Sequence, residues 1–254
     1  MRSYATAQNV GGRGLQCDAT AVRTAPDGTR AYVVLDGIGT SETIRDWTRK
    51  AAARLATRAA RRGDAESALR ALYEEIAADP DRQDPYERRY LPSAAAVVAV
   101  AAPGQPLTVA WAGDSRAYLL RRGIVHRLTD DHNLRRVYPP TATHPDGGNR
   151  NMITSYLGAV ATDEECQGIY GHPAIETAAR ELADGDRLVL ATDGAYEPHE
   201  EAGHDLYVEL EDDELTGTAR RFVDLAVEAS RKSRPEDEHR YVDNATVLVA
   251  ELTA

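Results

Sequence analysis

Three stretches of this chain are apolar at every position instead of every second one: YVVL at 32–35, VAWA at 109–112 and LVLA at 188–191. Short runs of that kind read as strands covered on both faces. The chain therefore has to provide a cover for each side of its sheets. Each run also meets an aspartate beside a glycine at its end: Asp36-Gly37, Gly113-Asp114 and Asp193-Gly194. A carboxylate at the edge of a buried strand is costly unless something positive pairs with it.

The remaining segments suggest how the strands are covered. YATAQNV, CDATAVRT and RAYVVLDG read as three opening strands, the last two joined by a PDGT turn. From Ser41 to Arg62 the pattern is helical, with Thr40 or Ser41 as cap, Glu42 in the first turn and Gly63 at the end. Trp47 falls on the same side as Ile44, Ala51, Leu55 and Arg58, which makes it core packing. Asp64 caps a second helix carrying Leu69, Leu72 and Ile76, expected to end at Pro80. PDRQDPYERRYLP is too charged and proline-rich for regular structure and reads as a surface connection. SAAAVVAVAA, LTVAWAGD, SRAYLLRR and GIVHRLT follow at hairpin spacing, as an antiparallel meander. The stretch from Asp130 to Gly171 is loop-rich. AIETAAREL and RLVLATDG then resume the sheet, DDELTGTARRFVDLAVEASRKS is a helix, and NATVLVAEL is the last strand. Two antiparallel sheets packed face to face, with helices on the outer faces, accommodate this order as one α+β domain over 1–254.

The formal net charge of −11 argues against a nucleic-acid footprint and against attraction to anionic membranes. No apolar run reaches membrane-spanning length, and MRSYATAQNV lacks the apolar core of a signal peptide. A cytoplasmic monomer is expected, with Cys17 and Cys166 as free thiols.

Asp36, Asp114, Asp193 and Asp243 each lie at the edge of an apolar segment, and Asp18 near the start of another. Two carboxylates about 5 Å apart repel by roughly 3 kcal/mol at an effective dielectric near 20. Divalent cations remove that penalty, and oxygen-only ligands without His/Cys spacing point to Mg²⁺ or Mn²⁺. A lone Asp-Gly is more often a turn, as at Asp27 and Asp146. The pattern alone therefore leaves the assignment open.

The flanking words narrow it. RGLQCD, VVLDGIG, WAGDSRAYLL, LTDDHNL, ITSYLG, LVLATDGAYE and DNATVLV, in that order from Arg13 to Val249, resemble the motifs of the PPM/PP2C family of metal-dependent serine/threonine protein phosphatases. The resemblance implies an αββα sandwich with two Mn²⁺ or Mg²⁺ ions at one end and, in many members, a third. Asp36 matches the aspartate bridging two ions, and Gly37 the glycine whose carbonyl binds one. Asp193 and Asp243 match the other aspartates of the second ion, and Asp114 the aspartate of the third. Arg13 matches the arginine that grips the substrate phosphate, Asp18 closes the same motif, and Asn244 follows Asp243 as the family has it. The implied reaction is direct attack of a metal-bridging water or hydroxide on a phosphoserine or phosphothreonine monoester of a protein, with Asp36, Asp193 and Arg13 as its catalytic residues.

Departures from the pattern keep other readings open. The family commonly has Glu where this chain has Cys17, and many members have DGHG or DGMGG where this chain has DGIGT, whose Ile38 cannot serve as a general acid. A catalytically weak or inactive phosphoprotein-binding module is the alternative, and a hydrolase of small phosphate esters a third. The histidines (His126, His132, His144, His172, His199, His204 and His239) read as mostly solvated, with His132 a structural partner in its loop. The acidic segment EPHEEAGHDLYVELEDDE reads as a surface loop or a flap over the substrate entrance.

Overall fold

Each all-apolar run is a strand whose alternate residues enter two different cores. In the third strand Val33 and Leu35 point toward helices, whereas Tyr32 and Val34 point toward a second sheet. That division follows from the period of two along a strand. The same parity sends Asp36 toward the space between the sheets, at its open end.

A computed structural model describes residues 3–253 apart from residue 213. In chain order, β1 (Tyr4–Asn9), β2 (Ala19–Thr24) and β3 (Arg30–Gly37) precede α1 (Glu42–Arg62), α2 (Ala65–Ala77) and the short α3 (Pro80–Gln83). Next come β4 (Ala94–Ala101), β5 (Leu107–Ala112), β6 (Arg116–Arg121), β7 (Ile124–Arg127), α4 (Leu134–Val137) and α5 (Asp163–Tyr170). The chain continues through β8 (Glu176–Arg180), β9 (Arg187–Ala191), α6 (Asp193–Ala202), α7 (Leu206–Leu210), α8 (Leu215–Lys232) and β10 (Ala245–Glu251). The strands form two five-stranded antiparallel sheets, ordered β1-β10-β9-β6-β7 and β2-β3-β4-β5-β8. Helices α1 and α2 cover the outer face of the second sheet, and α6 and α8 that of the first. The α+β sandwich expected from the sequence is the architecture found.

Local signals account for the helix ends. Ser41 accepts the Ile44 N–H and Gly63 closes α1 in the left-handed region. Asp64 accepts the Ser67 N–H to start α2. Leu215, Ala219, Phe222, Val223 and Ala226 form the buried stripe of α8, and Trp47 packs against the core as its spacing indicated. That helix begins at Leu215 instead of at the acidic run before it, of which Asp213 lies outside the described residues. Met1 and Arg2, at the head of the opening segment, also lie outside them. Cys17 and Cys166 are buried and unbridged. No helix among the described residues is long and apolar enough to cross a membrane.

Four expectations need correction. The meander breaks after β5: the chain turns at Gly113 into the other sheet, where β6 pairs with β7 and β9. Only glycine suits that corner, because its φ is 125° and a Cβ would lie 2.4 Å from that of Ala95. Secondly, α2 stops at Ala77 and Pro80 opens α3 instead of ending α2. PDRQDPYERRYLP is ordered, with a second short turn at Glu87–Tyr90. Arg82 is buried there, donating to the carbonyls of Gly158 and Pro92. Thirdly, His172 and His199 are buried rather than solvated, as is His132, which was expected to be a structural partner. Ring stacking and hydrogen bonds make this tolerable: His132 lies 4.2 Å from His172, and His172 Nε2 lies 2.8 Å from the Thr154 hydroxyl. Lastly, the acidic segment is not a loop, since it supplies most of α6 and all of α7 and buries Pro198, His199 and Leu210.

Candidate active site

The ends of β3 and β9, the corner after β5 and the residues before β2 and β10 surround one end of the sandwich. The cleft there measures about 390 Å³ and is lined by Asp36, Gly37, Asp114, Asp193, Asp243 and Arg13, among others. Of the residues expected from sequence to hold ions or phosphate, only Asp18 is absent from the lining. It lies beneath, with its Oδ2 accepting the hydroxyls of Thr246 at 2.6 Å and Thr192 at 3.3 Å.

Each acid is positioned by backbone. Asp36 faces Ala95 across the β3–β4 pair. Gly37 follows it, and a Cβ there would lie 2.5 Å from the Cys17 carbonyl oxygen. Asp193 is the first residue of α6, where the helix dipole favours negative charge, and its Oδ1 accepts the Gly194 N–H at 2.6 Å. Asp243 accepts the Asn244 N–H at 2.8 Å through Oδ1, while its Oδ2 accepts Arg13 at 2.8 Å. The Asn244 side chain accepts the Cys17 N–H at 2.8 Å and donates to the carbonyls of Val10 and Leu15. It thereby fixes the loop that carries Arg13. Asp114 Oδ1 is buried and has no hydrogen-bond partner, although its backbone carbonyl accepts the Tyr196 hydroxyl at 3.0 Å.

The electrostatic result is a crowd of acids with too few cations. Burial, followed by Asp18, Asp193, Asp243 and Asp114, pushes Asp36 well above the usual carboxylate range. Burial and then Asp193 do the same to Asp114. Burial raises Asp18 to about 7, opposed by the Thr246 hydroxyl and assisted by Asp193 and Asp243. Asp193 is raised by burial and by Asp243, against a hydrogen bond shared with Asp36. No His or Cys side chain lines the cleft among the described residues. An orphaned carboxylate oxygen in an all-oxygen donor set fits hard divalent cations such as Mg²⁺ or Mn²⁺.

Sequence reasoning missed part of the lining. Arg150, Glu197, Glu201, Ser230, Arg234 and Tyr241 also face the cleft. Arg150 pairs with Glu197 at 3.2 Å and also with Glu201. Burial and then Asp193 raise Glu197 to about 8. Asp193, Glu197 and Glu201 stand at i, i+4 and i+8, so reading DGAYEPHEEA as a helix would have placed them on one face. Arg150 sits in a segment without periodicity and left no such signal. His132 proves to reach beyond its loop. Its Nδ1 accepts the Gly113 N–H at 3.3 Å and its Nε2 lies 2.9 Å from Glu176, which ties β8 to the corner bearing Asp114.

Comparison with known proteins bears on this cleft. The family model described as protein phosphatase 2C matches residues 15–137. Human protein phosphatase 1F is 30% identical over 237 residues, covering 88% of this chain. The chain spans about half, 49%, of the length of that relative. Among solved structures, the S. agalactiae serine/threonine phosphatase superposes with a TM-score of 0.75 at 18% identity, covering 98% of both chains. The Mycobacterium tuberculosis serine/threonine phosphatase PstP/Ppp gives 0.66 at 24% identity, covering 99% of this chain and 98% of its own. A PPM Ser-Thr phosphatase from Mycobacterium smegmatis, solved in complex with cacodylate, gives 0.67 at 24% identity and covers 98% of each chain.

Proposed function

Because this chain belongs to the protein phosphatase 2C family, we propose that it removes phosphate from phosphoserine and phosphothreonine side chains of proteins with the help of bound divalent cations. The observation that carries this reading is the set of Asp36, Asp114, Asp193 and Asp243 around one cleft, of which only Asp243 has a cation of the chain, the Arg13 guanidinium, bonded to it.

Asp36, Asp193 and Asp243, with the Gly37 carbonyl, would hold two Mn²⁺ or Mg²⁺ ions, and Asp114 a third. Asp18 supports the set from below. When bound, such ions neutralise charge on the phosphate and supply an acidified water as nucleophile. The rest falls to the chain itself. Arg13 offers a planar fork that can bind two phosphate oxygens, which a lysine cannot match. Its Nε is buried and without a hydrogen-bond partner. Exchanging Asp243 for a phosphate would keep its charge paired. The Asn244 contacts hold the Arg13 loop in register with Asp243, so phosphate and ions are positioned by one rigid unit. Ile38 lines the rim without a polar atom. Its substitution leaves protonation of the departing serine or threonine oxygen to solvent or to another side chain.

A second reading rests on Cys17. Its thiol is buried and directed at the Ser41 carbonyl oxygen, 3.7 Å away, so that position adds no ligand to the cleft. A weakly active phosphoprotein-binding module would follow. Hydrolysis of p-nitrophenyl phosphate and of a phosphothreonine peptide, each with and without Mn²⁺, separates the two. Mn²⁺-dependent turnover of both, falling by on the order of 1000-fold in Asp36→Asn, is the expected result. Peptide binding without turnover at any Mn²⁺ level would favour the module.

A further inference from the structure

At the far end of α6 from Asp193, three side chains converge that the carboxylate cleft does not use. His199 lies in the last turn of α6 and is fully buried. Gly203 then takes a left-handed conformation with φ 70°, and the His204 N–H bonds back to the His199 carbonyl at 2.9 Å. This brings His204 over the end of the helix. Glu209, on α7, completes the group. The nearest ligand atoms of His199, His204 and Glu209 all lie within 4.8 Å of one another.

The protonation of His199 follows from its partners. Its Nε2 lies 2.9 Å from the Phe222 carbonyl oxygen, which can only accept, so Nε2 carries the hydrogen. The ring is stacked on Phe222 with centroids 4.1 Å apart, which fixes its plane. Nδ1 therefore presents a lone pair, and that atom lies 3.0 Å from Nδ1 of His204. An imidazole whose outer N–H is held by a backbone carbonyl is the arrangement metal-ligating histidines adopt.

We propose that His199 Nδ1, His204 Nδ1 and Glu209 form a second metal site, selective for Zn²⁺, which staples the end of α6 to α7. Two nitrogens and a carboxylate, with water as the fourth ligand, suit zinc better than the hard cations of an all-oxygen cleft. Tetrahedral bonds of about 2.05 Å place two nitrogens about 3.3 Å apart, so the histidines need to separate by only about 0.3 Å. The proton now between them moves to the outer nitrogen of His204, which is half-exposed and can accommodate it. The six residues from Asp193 to His199 rise roughly 9 Å along the helix. The staple is thus separate from the cleft yet anchors the helix that starts at Asp193.

The test uses the full chain freed of metal by chelation, then held in excess Mg²⁺ to fill the carboxylate cleft. Zinc content after dialysis against buffered Zn²⁺, and the visible spectrum with Co²⁺, are measured for the wild type, His204→Ala and Glu209→Gln. The wild type is expected to retain one Zn²⁺, to give the intense tetrahedral Co²⁺ bands and to melt at a higher temperature with Zn²⁺ than without. Both variants should bind at least about 100-fold more weakly, because losing an outer partner alone costs roughly 10–100-fold. Neither should gain melting temperature from Zn²⁺. Circular dichroism of the metal-free variants establishes that they fold, and Glu209→Gln carries the test if His204→Ala does not. Failure of the wild type to retain zinc, or equal retention by both variants, overturns the proposal.

Discussion

Two groups of buried charge lie near the same end of the sandwich, and they are built in opposite ways. Around the start of β6, Arg116 binds both oxygens of Asp131 at 2.8 Å and Glu200 at 2.6 Å, and lies over the Tyr196 ring at 3.8 Å. Arg127 adds a second cation to Asp131 at 2.6 Å. Nearby, Arg136 and His132 share Glu176. Every acid in that group has a cation from the chain. In the cleft and just beneath it, Asp36, Asp114, Asp193 and Asp18 have threonine hydroxyls, backbone N–H groups or nothing. Balanced burial holds a fold together, whereas unbalanced burial leaves charge to be supplied from outside the chain.

Removing a cation from the balanced group should have the largest effect. Arg116→Met takes from the buried Asp131 the cation that grips both its oxygens, leaving only the half-exposed Arg127. Breaking a buried pair costs about 3–5 kcal/mol, whereas the half-exposed Glu200 adds little. Urea unfolding should show a loss near that size whether or not Mn²⁺ is present. A change below about 1 kcal/mol would mean that the network is ornamental.

The two groups should also respond to pH in opposite senses. Burial opposes the charge on Glu176, but Arg136 and His132 hold it down to about 2. Its folded value is below the usual 4.5, so its contribution is present above 4.5 and lost as pH falls toward 2. Asp18 is raised from 3.8 to about 7, so its contribution is present below 3.8 and lost as pH rises through 7. For Asp18 alone the loss is on the order of 4 kcal/mol across that window. Metal-free protein should therefore be most stable near pH 4–5 and weaken toward pH 8, and added Mn²⁺ should restore it at pH 8. Thermal melts across pH with EDTA or Mn²⁺ measure this directly. A metal-free optimum at pH 8 would contradict the charge imbalance.

A smaller effect sharpens the same contrast. Asp36→Asn should raise the stability of the metal-free chain at pH 8 by about 1–2 kcal/mol, because it removes a charge that burial and four neighbouring aspartates oppose. Glu176→Gln should instead lower it.

These two groups were not equally visible in the sequence. The cleft acids stand where an all-apolar strand stops, and that break in hydrophobicity exposes Asp36, Asp114 and Asp193 at once. The balanced group joins Arg116, Asp131 and Glu200, whose separations of 15 and 84 positions carry no local pattern. The sandwich was legible because period-two burial and helix caps are local signals. The jump from β5 to the other sheet was not, since a hairpin and a crossing both begin with a glycine turn. At Gly113 the close approach of Ala95 on the neighbouring strand leaves no room for a side chain, a contact that the local sequence does not show. Burial of His199 was equally hidden, because its ring faces Phe222 on another helix.

Arg13 belongs to neither group. Its 2.8 Å bond to Asp243 joins side chains that remain 32% and 48% exposed, so the pair contributes little to folding. Arg13→Ala should accordingly change stability by less than about 0.5 kcal/mol. It also frees a carboxylate oxygen of Asp243, so affinity for Mn²⁺ should stay level or rise slightly. What is lost is a charged donor to phosphate, worth about 1.5–3 kcal/mol, or roughly a 10- to 100-fold increase in KM for a phosphopeptide. Steady-state kinetics at saturating Mn²⁺, beside a Mn²⁺ titration of the same variant, separates these terms. A rise in KM without weaker ion binding assigns Arg13 to the phosphate. A parallel loss of both would mean that its bond to Asp243 shapes the ion site, which would make the guanidinium part of the cation-holding cluster and not of the substrate's grip.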